Sequence, residues 1–300
     1  MAELPLYPDY PFLPKRFDRG GGIGLSYLDE GPADAPPVVM LHGNPSWSYY
    51  WRHLVAGLKD GYRCIVPDHV GMGLSDKPRD ADYRYTLASR VEDLDRLIAS
   101  LDLKGPITLA VHDWGGMIGF AWALRHPGRV ARLVILNTSS FPLPESRRLM
   151  WQIAVGRIPL LGAVLIRGFN FFARGAADLG VARPIPSASR KALLAPYDSW
   201  ANRRAVHRFV QDIPLKAGDD AWALVQQAEA ALPSYRDVPT FIGWGLQDFV
   251  FDQDFLARFV KELPNATQKI YGDAGHYVLE DKHEELVPAI RQFLDRHPIG

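Results

Sequence analysis

Short apolar runs rich in Val, Ile and Leu punctuate the chain, and most lead through a polar, glycine-containing loop into a stretch with helical spacing of its apolar positions. Residues 26–28, 37–41, 62–66, 107–111 and 131–136 read as strands, and residues 117–124 as a helix close behind the fourth of them. Strands that alternate with helices argue for a mostly parallel sheet, because a parallel crossover needs a helix's length of chain. The alternation then stops. From about 138 to 235 the pattern is helical, broken at Pro142, Pro144, Pro184, Pro186 and Pro196. Strand signals return at 239–245 and 268–271, and an amphipathic segment at 284–296 closes the chain. The pattern predicts an α/β fold, with a mostly parallel central sheet flanked by helices and built from 1–138 and 236–300. Residues 139–235 form a helical cap inserted over it. No internal repeat or low-complexity tract is present.

Composition narrows the picture. Three hundred residues can bury roughly 75% of the surface of the unfolded chain. Lys+Arg and Asp+Glu number 34 each, a formal net charge of +0, which makes no electrostatic case for nucleic acid or for an anionic membrane. The first eight residues lack the basic and apolar regions of a signal peptide, so a cytoplasmic location is expected, and no run is apolar and long enough to be a transmembrane segment. The single cysteine, Cys64, sits in the apolar run Cys64-Ile-Val66 and is expected to pack in a strand rather than react. Neither a metal nor a cofactor is expected.

In a parallel sheet, sites lie beyond the carboxyl ends of the strands. The segment Pro106-Ile-Thr-Leu-Ala-Val-His-Asp113-Trp-Gly-Gly116 reads as strand, sharp turn and helix, the nucleophile elbow of the α/β-hydrolase fold. Where that fold normally places serine, this chain has Asp113. A carboxylate with an ordinary pKa near 4 is already ionised at neutral pH, attacks amides poorly, and displaces a leaving group from tetrahedral carbon to form an alkyl ester. After residues 38–41 comes His42-Gly43-Asn44-Pro45, whose Asn44 amide and that of Trp114 are candidates for an oxyanion hole. Asp248 follows the strand at 239–245, and His276 follows the strand at 268–271. The order nucleophile, acid, histidine is that of α/β-hydrolases. Asp248 is expected to orient the His276 imidazole, leaving its other nitrogen to take a proton as base. Asp273 is too close in sequence to His276 and is assigned to the turn. Asn137 occupies a strand end where some proteins of this fold place the acid, but an amide cannot ionise.

His42-Gly-Asn-Pro45 with Trp51-Arg52, Asp113-Trp-Gly-Gly116, Gly245-Leu-Gln-Asp248 and Gly275-His276 resemble the haloalkane dehalogenases. The resemblance implies that Asp113 displaces halide, that the Asn44 amide and the Trp114 indole N–H hold the departing anion, and that a His276-activated water hydrolyses the ester. It becomes narrower over Tyr62-Arg-Cys-Ile-Val-Pro-Asp-His-Val-Gly-Met-Gly-Leu-Ser-Asp-Lys-Pro78, Ala195-Pro-Tyr-Asp-Ser-Trp200, Gln211-Asp-Ile-Pro-Leu215 and Tyr277-Val-Leu-Glu-Asp-Lys-His-Glu284. These stretches are similar to the β-lactone decarboxylases of bacterial long-chain olefin biosynthesis, and the similarity covers nearly the whole chain. That branch implies a cis-3,4-dialkyl-β-lactone as substrate, a cis-alkene and carbon dioxide as products, and other olefin-pathway enzymes as partners.

Three other readings stay open. A haloalkane dehalogenase fits every one of these residues. An epoxide hydrolase also uses an Asp-Trp elbow but needs two cap tyrosines, for which Tyr197 and Tyr235 are the candidates. A non-enzymatic binding protein on the same fold would be expected to have lost a member of Asp113, Asp248 and His276. The cap stretch from Met150 to Phe172 carries only Arg157 and Arg167 as charges. It is expected to line a tunnel for an apolar substrate, to pack on the sheet, or to dock another protein.

Overall fold

The computed structural model describes residues 7–144 and 147–299; the first six residues, where no signal-peptide pattern was read, lie outside the described residues. Eight strands form one sheet: β1 Lys15–Asp18, β2 Gly24–Glu30, β3 Pro37–Leu41, β4 Arg63–Pro67, β5 Ile107–Asp113, β6 Val130–Thr138, β7 Thr240–Gly245 and β8 Thr267–Tyr271. Their order is β1-β2-β4-β3-β5-β6-β7-β8. From β4 to β8 all neighbours are parallel, whereas β2 runs antiparallel to both β1 and β4. Every residue of β3 and β5 is buried, as strands covered by helices on both faces require. Cys64 is a buried residue of β4.

Most elements end within one to three residues of the sequence reading, but one strand is absent from it and the last helix starts six residues earlier than expected. Lys15-Arg-Phe-Asp18 is an edge strand with three exposed residues and no apolar alternation, so nothing in its pattern announces it. The last helix spans Val278–Arg296 rather than starting at 284, and Lys282, with φ −137°, breaks it. Val278 and Leu279 are fully buried against the core, which recruits this first turn into the helix ahead of the amphipathic run.

Helices Leu87–Ser100, Trp114–Arg125 and Trp222–Ala231 pack together in one layer, and Arg52–Leu58 packs with Val278–Arg296 in another. The chain between β6 and β7 is helical throughout its regular structure. It includes Trp151–Arg157, Pro159–Gly162, the π-helical turn Ala163–Gly168, Phe171–Leu179, Ser187–Leu194 and Arg204–Gln211. Among the described residues no single helix is long and apolar enough to cross a membrane.

Candidate active site

Asp113 ends β5 at φ 52°, ψ −128°, a conformation L-residues rarely adopt, and the Trp114–Arg125 helix begins at the next residue. The neighbouring glycines make this turn feasible. A Cβ at Gly43 would overlap the Asp113 carboxylate, and one at Gly115 would overlap the Leu41 carbonyl oxygen. Thr138 Oγ1 donates to the Asp113 carbonyl and ties the elbow to β6. The result is a carboxylate held at the carboxyl end of the central strand and 6% exposed.

Asp113 Oδ1 accepts the Asn44 backbone N–H at 2.6 Å, and the Trp114 backbone N–H also bonds the carboxylate. Both candidate oxyanion amides therefore converge on Asp113. Its Oδ2 lies 3.5 Å from His276 Nε2. Burial pushes the Asp113 pKa above its ordinary value, with Asp248 adding to the rise; the His276 charge and the two amides oppose it without cancelling it.

His276 Nδ1 donates to Asp248 Oδ2 at 2.9 Å. Burial alone would disfavour the imidazolium, but the charge of Asp248, its hydrogen bond and the charge of Asp113 outweigh that, and the His276 pKa is raised. Asp248 is in turn fixed from three sides. Its Oδ1 accepts the N–H groups of Val250 and Phe251 at 2.7 and 3.1 Å, and its Oδ2 accepts Asn137 Nδ2 at 2.9 Å. Asp273, set aside from sequence, is half-exposed and pairs with Lys282 at 2.7 Å.

Asn44 Nδ2 donates to the Val206 carbonyl in the Arg204–Gln211 helix at 3.1 Å, which uses one of its two hydrogens. The Trp114 ring packs edge-on to Phe209 at 5.2 Å and beneath the Arg90 guanidinium at 5.5 Å. Its indole N–H has no hydrogen-bond partner among the described residues. Asn44, Trp114, Asp113 and His276 all line one cavity of about 550 Å³. The rest of its wall is mainly apolar and comes from both sides: Met150, Ile153, Leu165, Ile166 and Phe172 from the chain between β6 and β7, with Phe251 and Phe255 from the segment after β7. Among the described residues no tyrosine lines it. Tyr197 instead donates to the Ser46 carbonyl at 3.2 Å, and Tyr235 packs on Phe120 with ring centroids 5.4 Å apart. No group of three or more His, Cys, Asp or Glu residues is placed to hold a metal among the described residues.

Two contributors escaped the sequence reading. Asn137 is an amide at a strand end where an acid would ionise, yet it brackets Asp248. His112, fully buried and stacked on Tyr50 at 4.2 Å, donates from Nε2 to the His276 carbonyl at 2.9 Å. Its position one residue before the elbow is the only signal the sequence offered.

The model of the α/β hydrolase fold family matches residues 36–283. A cis-3-alkyl-4-alkyloxetan-2-one decarboxylase of Xanthomonas campestris pv. campestris is 61% identical over 98% of this chain and 99% of its own. The chain belongs to this decarboxylase family of α/β hydrolases. A second decarboxylase, from Shewanella oneidensis, is 51% identical over 93% of this chain and 88% of its own. The decarboxylase family borders the haloalkane dehalogenases: that of Mycolicibacterium paratuberculosis is 31% identical over 94% of this chain and 92% of its own. The solved structure of haloalkane dehalogenase DbeA from Bradyrhizobium elkani superposes with a TM-score of 0.83 at 26% identity, covering 94% of this chain and 97% of that one.

Proposed function

We propose that this protein decarboxylates cis-3,4-dialkyl-β-lactones to cis-alkenes, with Asp113 as nucleophile, Asn44 and Trp114 as anion donors, Asp248 and His276 as a supporting acid and base, and residues 139–235 as the cap. The observation that carries the substrate is the 61% identity to a protein of that activity across 98% of the chain. The site's chemistry agrees with it. An Asp113 oxygen attacks the ring carbon that bears the lactone oxygen, and that carbon–oxygen bond breaks. The released carboxylate takes the free hydrogen of Asn44 Nδ2 and the unpartnered Trp114 indole N–H, neutral donors suited to a charge that grows as the bond breaks. Loss of carbon dioxide then places its bonding electrons in the new double bond and expels Asp113 as carboxylate. Inversion in the first step and anti elimination in the second preserve the cis relationship. Atoms balance without water.

On this route His276 is not required to activate water. Its raised pKa favours an imidazolium 3.5 Å from Asp113, which stabilises the carboxylate as it departs. Acyl attack by Asp113 is the competing first step and would leave an anhydride in place of an alkyl ester. The dehalogenase reading rests on the same residues and on the haloalkane dehalogenase relatives. Other olefin-pathway enzymes are the partners this reading calls for, in the cytoplasm.

Purified protein given a synthetic cis-dialkyl-β-lactone is expected to release carbon dioxide and cis-alkene in equal amounts, while bromoalkanes release little bromide. Fast bromide release with an inert lactone would reverse the assignment. Mass spectrometry of quenched enzyme distinguishes an alkyl ester on Asp113 from an anhydride.

A further inference from the structure

The cap departs from the charge balance of the whole chain. Residues 147–203 hold nine basic and two acidic side chains, and residues 147–177 hold five arginines and no acid. The net charge of +0, which gave no electrostatic case for an anionic membrane, conceals this concentration. Arg148, Arg167, Arg174 and Arg203 have no carboxylate within ion-pair distance among the described residues.

Exposed apolar side chains collect in the same place. Of the twelve large hydrophobic residues exposed among the described ones, nine lie between 151 and 200. Leu160 is 84% exposed, Trp151 72%, Leu179 67%, and Phe169 and Phe171 58% each. Two contacts tie members of this group together: Phe169 stacks on Phe171 at 5.7 Å, and the Arg167 guanidinium lies 4.6 Å over Trp200. Trp151, Phe171 and Leu179 also line the substrate cavity, so the apolar face runs into its mouth. Pro159–Gly168 and Phe171–Leu179 meet at 63° and are each too short to span a bilayer.

We propose that this face of the cap docks on the surface of an anionic lipid bilayer, with its apolar side chains in the acyl boundary and the unpaired arginines on the headgroups. A membrane is the occupant that fits both components. Arginine without a protein counter-charge matches an anionic headgroup layer, and its long stem lets the charge stay at that layer while neighbouring apolar groups go deeper. Tryptophan at the rim suits the interface. A water-insoluble substrate then enters the cavity from the lipid; that passage rests on the lactone reading, whereas the docking itself rests on the cap surface alone.

Vesicle sedimentation tests docking independently of turnover. The full chain is expected to sediment with vesicles of phosphatidylglycerol and phosphatidylethanolamine, and much less with phosphatidylcholine alone. The double variant L160E/F169E, at two exposed positions away from the cavity wall, is expected to bind the anionic vesicles at least roughly tenfold more weakly. It is also expected to keep wild-type turnover of a short, water-soluble lactone and to lose turnover of a long-chain lactone presented in vesicles. R148Q/R174Q is expected to lose the preference for anionic lipid. Failure of the wild type to sediment, or equal sedimentation of L160E/F169E, overturns the proposal, as does an L160E/F169E change that only dissociates a self-assembled oligomer. Vesicle binding without lactone turnover removes the functional reading and leaves docking intact.

Discussion

Asn137 Nδ2 and His276 Nδ1 both donate to the same oxygen, Asp248 Oδ2, each at 2.9 Å. Asn137 is itself clamped, because its Oδ1 accepts the Gly245 N–H at 2.9 Å. It therefore positions the carboxylate that positions the imidazole. Asn137→Ala should lower kcat by roughly 10- to 100-fold, the effect of losing a hydrogen bond to a charged group, with KM little altered. The kcat profile against pH should shift its His276-dependent limb. Unchanged kcat and an unmoved limb would reduce Asn137 to a packing residue.

Asp113→Asn should abolish lactone turnover, since an amide cannot act as the nucleophile. The same variant should be more stable than the wild type at neutral pH. The folded-state pKa of Asp113 is raised, so its ionisation costs folding free energy once the pH passes its unfolded value, and the cost is absent below that value. The gain in Tm should therefore be present at pH 7 and vanish as the pH falls toward 4, measurable by calorimetry. A lower Tm at pH 7 would contradict the burial argument. Activity carries the matching signature: kcat/KM should begin to fall on the acid side above pH 3.8, the ordinary value for an aspartate.

Trp114→Phe keeps the ring against Phe209 and removes the indole N–H. Loss of one preorganised donor to developing charge should cost about 10²-fold in kcat. Steady-state kinetics with one lactone suffice; a loss confined to KM would mean that the N–H serves substrate binding alone.

His276→Gln separates the two ways of freeing Asp113. If decarboxylation expels the carboxylate, the variant keeps measurable turnover and accumulates no ester. If water must hydrolyse the ester, the variant stalls with Asp113 alkylated. Intact-protein mass spectrometry after incubation with lactone reads the difference.

Arg52 and Glu280 form a buried bidentate pair at 2.5 and 2.8 Å, joining the segment after β3 to the segment after His276. Glu280→Ala should destabilise the fold by about 3–5 kcal/mol, because the guanidinium is left buried without a counter-charge. Chemical denaturation with an unchanged m-value would measure it. Arg52→Met with Glu280→Leu should recover most of the loss.

The candidate site was legible because its proposed chemistry is carried by a few residue types at strand ends. A β-branched run leading into Asp113-Trp-Gly-Gly116 marks an elbow, and the glycines stand where any Cβ would meet neighbouring atoms. What escaped depends on distance in sequence. Asn137 reaches Asp248 across more than a hundred residues, and neutral amides give no titration signal by which to guess a partner. β1 escaped because an exposed edge strand needs no apolar alternation. The arginine excess of residues 147–203 escaped because a sum over the whole chain cancels a local excess.

One of the contacts between the Arg204–Gln211 helix and the candidate site is a hydrogen bond from Asn44. The Asn44 side chain, an anion donor in the proposed mechanism, is anchored to the backbone of the Arg204–Gln211 helix through the Val206 carbonyl. Any displacement of that helix to admit a bulkier chain also disturbs the Asn44 side chain, so helix movement and anion binding at Asn44 share one free-energy balance in that mechanism. By reciprocity, an anion seated on Asn44 must bias the helix position by the same factor that the helix biases anion affinity. On the proposed mechanism, inert halide ions thus become reporters of the position of that helix.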